Sequence, residues 1–508
     1  MIPSCNRSPW SDYPPGSSGN PQGNFPPSGS PLPGTPPPGN PLPPDLNQDL
    51  DSEDEESNLP NNLEHSIRTG NPDLLDTQDI TVYLDDLKDT LVAIREIRNA
   101  SLNTQFDEDD LANLRNPTKE ELDINDCYFH LSLDMYLILT NAPQETYCEP
   151  VSAFLRCHPE VKGRLLSYDQ IKCRVKNLTS IIPIHDNMCI NSCMAFTSPY
   201  KDLDSCLKCL EYCYDPVLLH SSNGATKKPQ QSMTTIPIGP QIQALWSHHL
   251  SAEKMSYWEQ ITETLLNQDE SPNILTDYTE GEDYLMHMAP HLKLHDTILM
   301  FSVDRAQLYR NKRSDCWMYI WVIYDLTPGD HYKKQYVLPG GFVPGPNAPK
   351  NLDSFFFSGI YHLSALQHEG LLIWDAHNWQ LHHDNPFLFF ATADAIGIVD
   401  VSGSAGHHAR LGCQLMCELP GRHKPGTGHY YPALLKPSDC THCGSNHNDI
   451  DINTISNPDD RKYQANLLLL LSSTNPNQHV QHQHETGQIK LYGSDKKDTW
   501  DWAVFMDT

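Results

Sequence analysis

No long hydrophobic run interrupts this chain of 508 residues, and its longest pure leucine stretch, Leu467 to Leu471, is far too short to cross a bilayer. Nor does an apolar secretory segment open it, since "MIPSCNRSPWSDYPPG" is polar and proline-rich. Together these absences predict a soluble chain. Basic residues are scarce as well: 35 Lys and Arg stand against 65 Asp and Glu, a formal charge of −30. That balance excludes a protein whose whole surface coats nucleic acid. The negative charge is uneven, however, with roughly half of it before residue 126, so the remainder can carry a local basic groove.

Proline is over-used, at 41 residues, with the excess at the start. Residues 1–78 combine Pro, Gly, Ser and Asn with the acidic run "DLDSEDEESN", and such a segment buries too little apolar surface to offset ordering entropy. We expect a disordered acidic arm, either a solvated tail or an interaction segment. Residues 79–180 turn helical. Val82, Leu87, Leu91, Ile94 and Ile97 recur at near-helical spacing. "SLDMYLILTN" and "EPVSAFLRCH" continue as helices bounded by Pro143 and Pro159. In "SYDQIKCRVKNLTS", Ser167 and Gln170 have capping-box spacing, and Lys172, Arg174 and Lys176 follow as a DNA-facing helix or a solvated basic face.

Fifteen cysteines in a chain of this kind suggest metal binding or burial in a reducing compartment rather than disulfides. Residues 181–235 hold the first cluster. Cys189, Cys193, Cys206 and Cys209 form C-x3-C, twelve residues, C-x2-C, with His185 and Cys213 as spare candidates. Two close pairs separated by a loop can meet as two knuckles around one structural Zn2+. Four unrelated buried thiols are the alternative. A second group repeats the pattern: Cys413 and Cys417, twenty-two residues, then Cys440 and Cys443, among His407, His408, His429, His442 and His447. It predicts a second zinc site within residues 401–508, or a first pair surrounded by loop histidines. Between the pairs, "ELPGRHKPGTGHYY" sets Arg422, His423, Lys424 and His429 beside two tyrosines, a mixture suited to phosphate contacts and base stacking. "HVQHQHE", at 479–485, reads as a solvated polar tract with weak metal affinity at most.

Residues 236–400 are the apolar centre. Thr297 to Val303 reads as a buried strand that delivers Asp304 where it emerges. "DCWMYIWVIYDL" is a second strand and "YKKQYVLPGGFVPGP" a short third one. "NLDSFFFSGIYHLSALQHEGLLIW" reads as a helix, with Phe355, Ile360, Leu363 and Leu366 on one side. "NPFLFFATADAIG" is a fourth strand ending at Asp394. Strand, strand, strand, helix, strand is the order of an α/β, ribonuclease-H-like fold, in which the first strand lies beside the fourth. Each Asp alone is compatible with a turn residue. The ordered pair can bind hard divalent cations, Mg2+ or Mn2+, through oxygen, and two such ions roughly 4 Å apart activate an attacking oxygen at a phosphodiester.

Several of these stretches occur together elsewhere. "SVDRAQLY", "SDCWMYIWVIYDL", "YVLPGGFVPGPNAPKNLDSFFF", "EGLLIWDA", "ATADAIG", "AGHHARLGCQLMC" and "GRHKPGTGHYYPALL" resemble the fungal transposases of the CACTA (En/Spm) group. "IPIHDNMCINSCMAF…CLKC" is similar to the cysteine-rich segment before their catalytic core, as is "LTNAPQETY…LLSYDQIKCRV" before it. The resemblance covers roughly residues 125–440, with its motifs in the family's order. It implies an RNase-H-like core of the DDE/DDD type that cuts and joins transposon ends with Mg2+ or Mn2+. It also implies DNA as partner, allows a homo-oligomer, excludes a membrane, and implies a nuclear location. Asp304 matches the first catalytic Asp and Asp394 the second. Cys413 and Cys417 match the following cysteine pair, with three residues between them where many relatives have two. Arg305 stands where relatives commonly have glycine. Relatives continue beyond "DTWDWAVFMDT", so a C-terminal truncation is expected, and no third acid is assigned among Asp400, Asp459 and Asp460.

Overall fold

Where apolar residues stop alternating and run together, a strand must be covered on both faces. The run "ILMFSV" at the start of β3 (Ile298–Gln307) is covered in this way, and exposure begins at Asp304. The computed structural model describes residues 81–489, except 120–124, 140–142, 268–276, 282–283, 294, 308–314, 346, 395–396, 414–418, 424–425, 437–447 and 456–459. The N-terminal arm expected over 1–78 lies outside the described residues.

The protein is a mixed α/β structure around one six-stranded sheet. Its strands are β1 (Ile184–Met188), β2 (Gln231–Thr235), β3, β4 (Asp315–Ile323), β5 (Val337–Pro344) and β8 (Phe387–Ala393). They lie in the order β1-β2-β5-β4-β3-β8. Every pairing is antiparallel except β3 with β8. A parallel neighbour needs a long crossover. Here it is the helix Leu352–Glu369, which covers the sheet with Leu352, Phe355, Phe356, Leu363, Ala365 and Leu366. Asn351 caps that helix through the Ser354 N–H.

The helix ends earlier than the sequence suggests. Gly370 takes φ 76 and ψ 157, an extended positive-φ conformation that glycine alone adopts readily and that ends the helix. The following "LLIWD" becomes β6 (Leu371–Asp375), hairpin partner of β7 (Gln380–Asp384). Equally unforeseen, β1 and β2 extend the central sheet beyond β5, so the first cysteine cluster is spliced into a hairpin at the sheet edge.

The N-terminal helices divide between two places. Asp85–Arg98, Leu102–Gln105 and Glu108–Arg115 pack on the core, where Leu102 and Leu114 join the apolar cluster of Phe301 and Trp321. Buried His362 fastens them. Burial lowers its pKa to about 3, so the ring is neutral; Nε2 accepts the Gly239 N–H, leaving Nδ1 to donate to Gln105. Cys127–Ile138, Gln144–Cys157 and Tyr168–Thr179 form a separate cluster around Phe129, Tyr147 and Ile171. Ser167 and Gln170 make the expected capping box.

Tyr319 locks the sheet to its covering helix. Its ring lies against Gly340, Gly341 and Gly359, at each of which a Cβ would press into the ring or its hydroxyl. A Gly→Ala change inside a helix ordinarily stabilises by about 1 kcal/mol. For Gly359→Ala we expect the opposite sign, a loss of about 2 kcal/mol from overpacking, read from the urea midpoint. Tyr319→Phe removes the hydroxyl, leaving the nearest ring atoms 3.0 and 3.2 Å from the added methyl. The double variant should therefore recover most of the loss.

Candidate metal centres

Two carboxylates stand one residue beyond the last paired residues of the parallel strands. The β3–β8 register runs from Ile298↔Phe387 to Val303↔Ala393, so Asp304 and Asp394 are the next residue on each strand. Both are exposed. The strand does not stop at Asp304 as the sequence suggests. β3 continues to Gln307, paired only with β4, where Asp304 faces Met318; what stops at Asp304 is burial. Arg305 lies in this regular ladder opposite Trp317, so the position does not demand glycine.

Local hydrogen bonds orient both acids. Asp304 Oδ1 accepts the Arg305 N–H at 2.6 Å, and Asp394 Oδ1 accepts the Gly397 N–H at 2.6 Å, opening the short helix Gly397–Ser402. Asp394 is thus a turn residue that follows directly on β8. Among the described residues no third His, Cys, Asp or Glu joins this pair to make a three-ligand group. Asp459 and the side chains of Asp400 and Asp460 lie outside them. The helix Asp460–Leu471 directs Tyr463, Leu467 and Leu471 onto Leu87 and Leu91.

The first cysteine cluster is assembled. Potential ligand atoms of Cys189, Cys193, Cys206 and Cys209 lie within 4.8 Å of one another, three of the residues buried and Cys209 half-buried. Each pair sits on a tight knuckle. In the first, Cys189 N–H bonds Met194 O and Ser192 N–H bonds Cys189 O; in the second, Cys206 N–H bonds Glu211 O and Leu210 N–H bonds Cys206 O. Ser192 and Leu210 adopt φ 55 and 64, which these turns require. The spare candidates stay outside the group. Cys213 N–H closes the second knuckle on Asp204 O, and His185 contacts Thr234 across β1 and β2.

The charge balance of these thiols favours a cation. Burial pushes Cys189 up to about 12 and raises Cys193 as well. Burial also opposes ionisation of Cys209, yet the Glu211 N–H, the Asn191 amide and neighbouring thiols together draw it down to about 7. Four thiolates packed this closely need positive charge between them. The group could hold a metal such as zinc.

The other predicted residues are more scattered. Cys413 is half-buried, while Cys417, Cys440, Cys443, His442 and His447 lie outside the described residues. Three histidines of that region do meet: His407 and His408 at 4.0 Å between ring centroids, and His408 stacked on His429 at 4.6 Å. Arg422 corrects a prediction. It is fully buried, its guanidinium donating to the carbonyls of Ala433, Leu434 and Asn448 and to Asp449, so it holds its loop together rather than facing a phosphate. Lys424 lies outside the described residues.

Lys172, Arg174 and Lys176 are exposed, but only Lys172 and Lys176 share a helix face. Arg174 turns onto the Phe129 ring, 5.7 Å from its centroid. The tract at 479–485 is not wholly solvated: it lies in the helix Pro476–Thr486, where buried His482 contacts Ser473 Oγ at 3.0 Å. Among the described residues no helix is long and apolar enough to cross a membrane. No protein-family model matches the chain, and no curated protein matches it either.

Beneath the opposite end of β3 lies a set of buried acids that the sequence did not signal. Asp384 accepts the Thr297 N–H at 2.8 Å and the Thr297 hydroxyl at 2.6 Å. Burial, against those bonds, raises it to about 7; burial raises Asp325 well above the carboxylate range too. A folded-state pKa above the unfolded 3.8 means that the folded form holds the proton longer. The resulting stability is full below about pH 4 and is lost as pH rises through 7, about 4 kcal/mol in all. Asp384→Asn mimics the protonated form, and its amide can donate to the Thr297 hydroxyl. Urea midpoints between pH 5 and 8 should fall steeply for the parent and more gently for this variant.

Proposed function

We propose that this chain derives from a transposase and cleaves and joins DNA at transposon ends, with Asp304 and Asp394 as ligands for Mg2+ or Mn2+. One observation carries the reading: the parallel pair among the described strands of the sheet runs up to residues 303 and 393, making two exposed carboxylates the next residues in line. The order β5-β4-β3-β8, with the crossover helix before β8, supports an RNase-H-like core. Such ions polarise the scissile phosphodiester and activate the attacking oxygen when bound. The chain's own part is to supply hard oxygen ligands on a rigid platform, since β3 is paired on both sides immediately before the site. The cysteine group would take structural Zn2+, and the setting of this activity is the nucleus.

A second reading is favoured by the missing third ligand among the described residues: a zinc-dependent DNA- or chromatin-binding protein that has kept the scaffold without the chemistry. The deciding experiment incubates the purified chain with a duplex carrying the terminal DNA of its own element, with Mn2+ or with chelator. Metal-dependent nicking supports the enzyme. End binding without cleavage supports the second reading and removes the first.

A further inference from the structure

Far along the chain from both cysteine clusters, three side chains converge that no part of the proposed activity uses. His249 and Glu253 stand one turn apart on the short helix His249–Lys254, and His377 sits in the turn between β6 and β7. One potential ligand atom from each lies within 4.8 Å of the other two. Residues at i and i+4 share a helix face, so His249 and Glu253 form two arms of a claw. The hairpin turn supplies the third.

That third arm is held in place. Asp375, fully buried, accepts the N–H groups of His377 and Asn378 at 2.8 and 3.0 Å and the Asn378 amide at 2.8 Å. The next contact ties the turn to the end of the preceding helix, Ile238–Trp246: Ala376 N–H bonds Trp246 O at 3.1 Å. The His249 and His377 rings stack with centroids 4.9 Å apart. His377 Nδ1 is shielded from solvent and has no hydrogen-bond partner among the described residues. Glu253 has no cationic partner among them. A ring nitrogen of His377 and a carboxylate oxygen of Glu253 stand within 4.8 Å of each other.

We infer that His249, Glu253 and His377 form a further metal site, selective for Zn2+ or a similar first-row divalent ion. Two imidazoles and one carboxylate are a borderline donor set, suited to zinc and its neighbours and poorly suited to Mg2+. Ligand atoms around tetrahedral zinc stand about 3.4 Å apart. Exposed His249 and Glu253 close the remaining distance by rotating about their own bonds, while the turn holds His377. With three protein ligands, one coordination position stays open to water. The bound ion staples the β6–β7 hairpin to the helix His249–Lys254.

Calorimetric titration of the full chain with Zn2+ tests this. The parent should show a binding step that is absent from the His249→Ala/His377→Ala variant and at least about tenfold weaker in Glu253→Gln. Cys193→Ser should keep that step, which separates it from the cysteine group. The double variant changes one exposed and one half-buried side chain, and its circular dichroism spectrum should match the parent's. If parent and double variant titrate identically, the metal is held elsewhere in this histidine-rich chain and the inference fails.

Discussion

Cys193→Ser should cost the protein one bound metal ion and roughly 4 kcal/mol of stability. The reasoning begins with position. Cys193 is fully buried in the first knuckle, and its carbonyl accepts the N–H groups of Lys350 and Asn351 at 3.2 and 2.9 Å. Asn351 is the cap of the helix Leu352–Glu369. The same helix start is bolted to the module twice more, by Ala195 N–H to Ser354 Oγ at 2.9 Å and by Thr197 Oγ1 to Ser354 O at 2.6 Å. A knuckle that relaxes therefore loosens the crossover helix. Structural zinc contributes roughly 10 kcal/mol or more to the folding of small modules. Here β1 and β2 also tie the module into the central sheet, so only part of that should be lost. Metal analysis should fall by one equivalent per chain, the melting temperature should drop, and proteolysis within 189–213 should accelerate. Chelator treatment of the parent should reproduce all three. An unchanged metal content in Cys193→Ser would overturn the assignment of this group.

The features legible in the sequence were those written in spacing or in order. Paired cysteines announce knuckles because a turn of fixed length must return the second sulfur to the first. The long apolar strands announce the sheet, and their order placed the first beside the fourth. What escaped depended on local chemistry that periodicity does not carry. "LLIW" after "QHE" continues a helical apolar pattern, and only the positive-φ backbone at Gly370 breaks it. β1 and β2, "IHDNM" and "QSMTT", are short and polar because they lie at or next to the sheet edge. Arg422 looked like a phosphate ligand since arginine is rarely buried; its burial rests on carbonyls brought together by a loop. His249 and Glu253 have i, i+4 spacing that could have been noticed, but their third partner is placed by tertiary structure alone.

Asp304→Asn and Asp394→Asn should each lower any metal-dependent cleavage by at least about a thousandfold, equivalent to about 4 kcal/mol in the barrier. Asparagine keeps the shape and an acceptor oxygen, so Asp304→Asn can still take the Arg305 N–H and Asp394→Asn the Gly397 N–H. What each substitution removes is one negative charge from the proposed cation site, and hard cations depend on that charge. Both residues are exposed, so neither change should move the melting temperature by much. The pair also predicts a binding phenotype independent of turnover. Mn2+ affinity, followed by electron paramagnetic resonance, should weaken in each single variant. The double variant should lose little beyond either single one, because one ion shared by two ligands gives coupled rather than additive losses. Strictly additive losses would place the two carboxylates on different ions, and an Mn2+ affinity untouched in both single variants would detach them from metal chemistry altogether. In that case the parallel strand ends would be turn chemistry, with Asp394 serving only the helix that begins at Gly397.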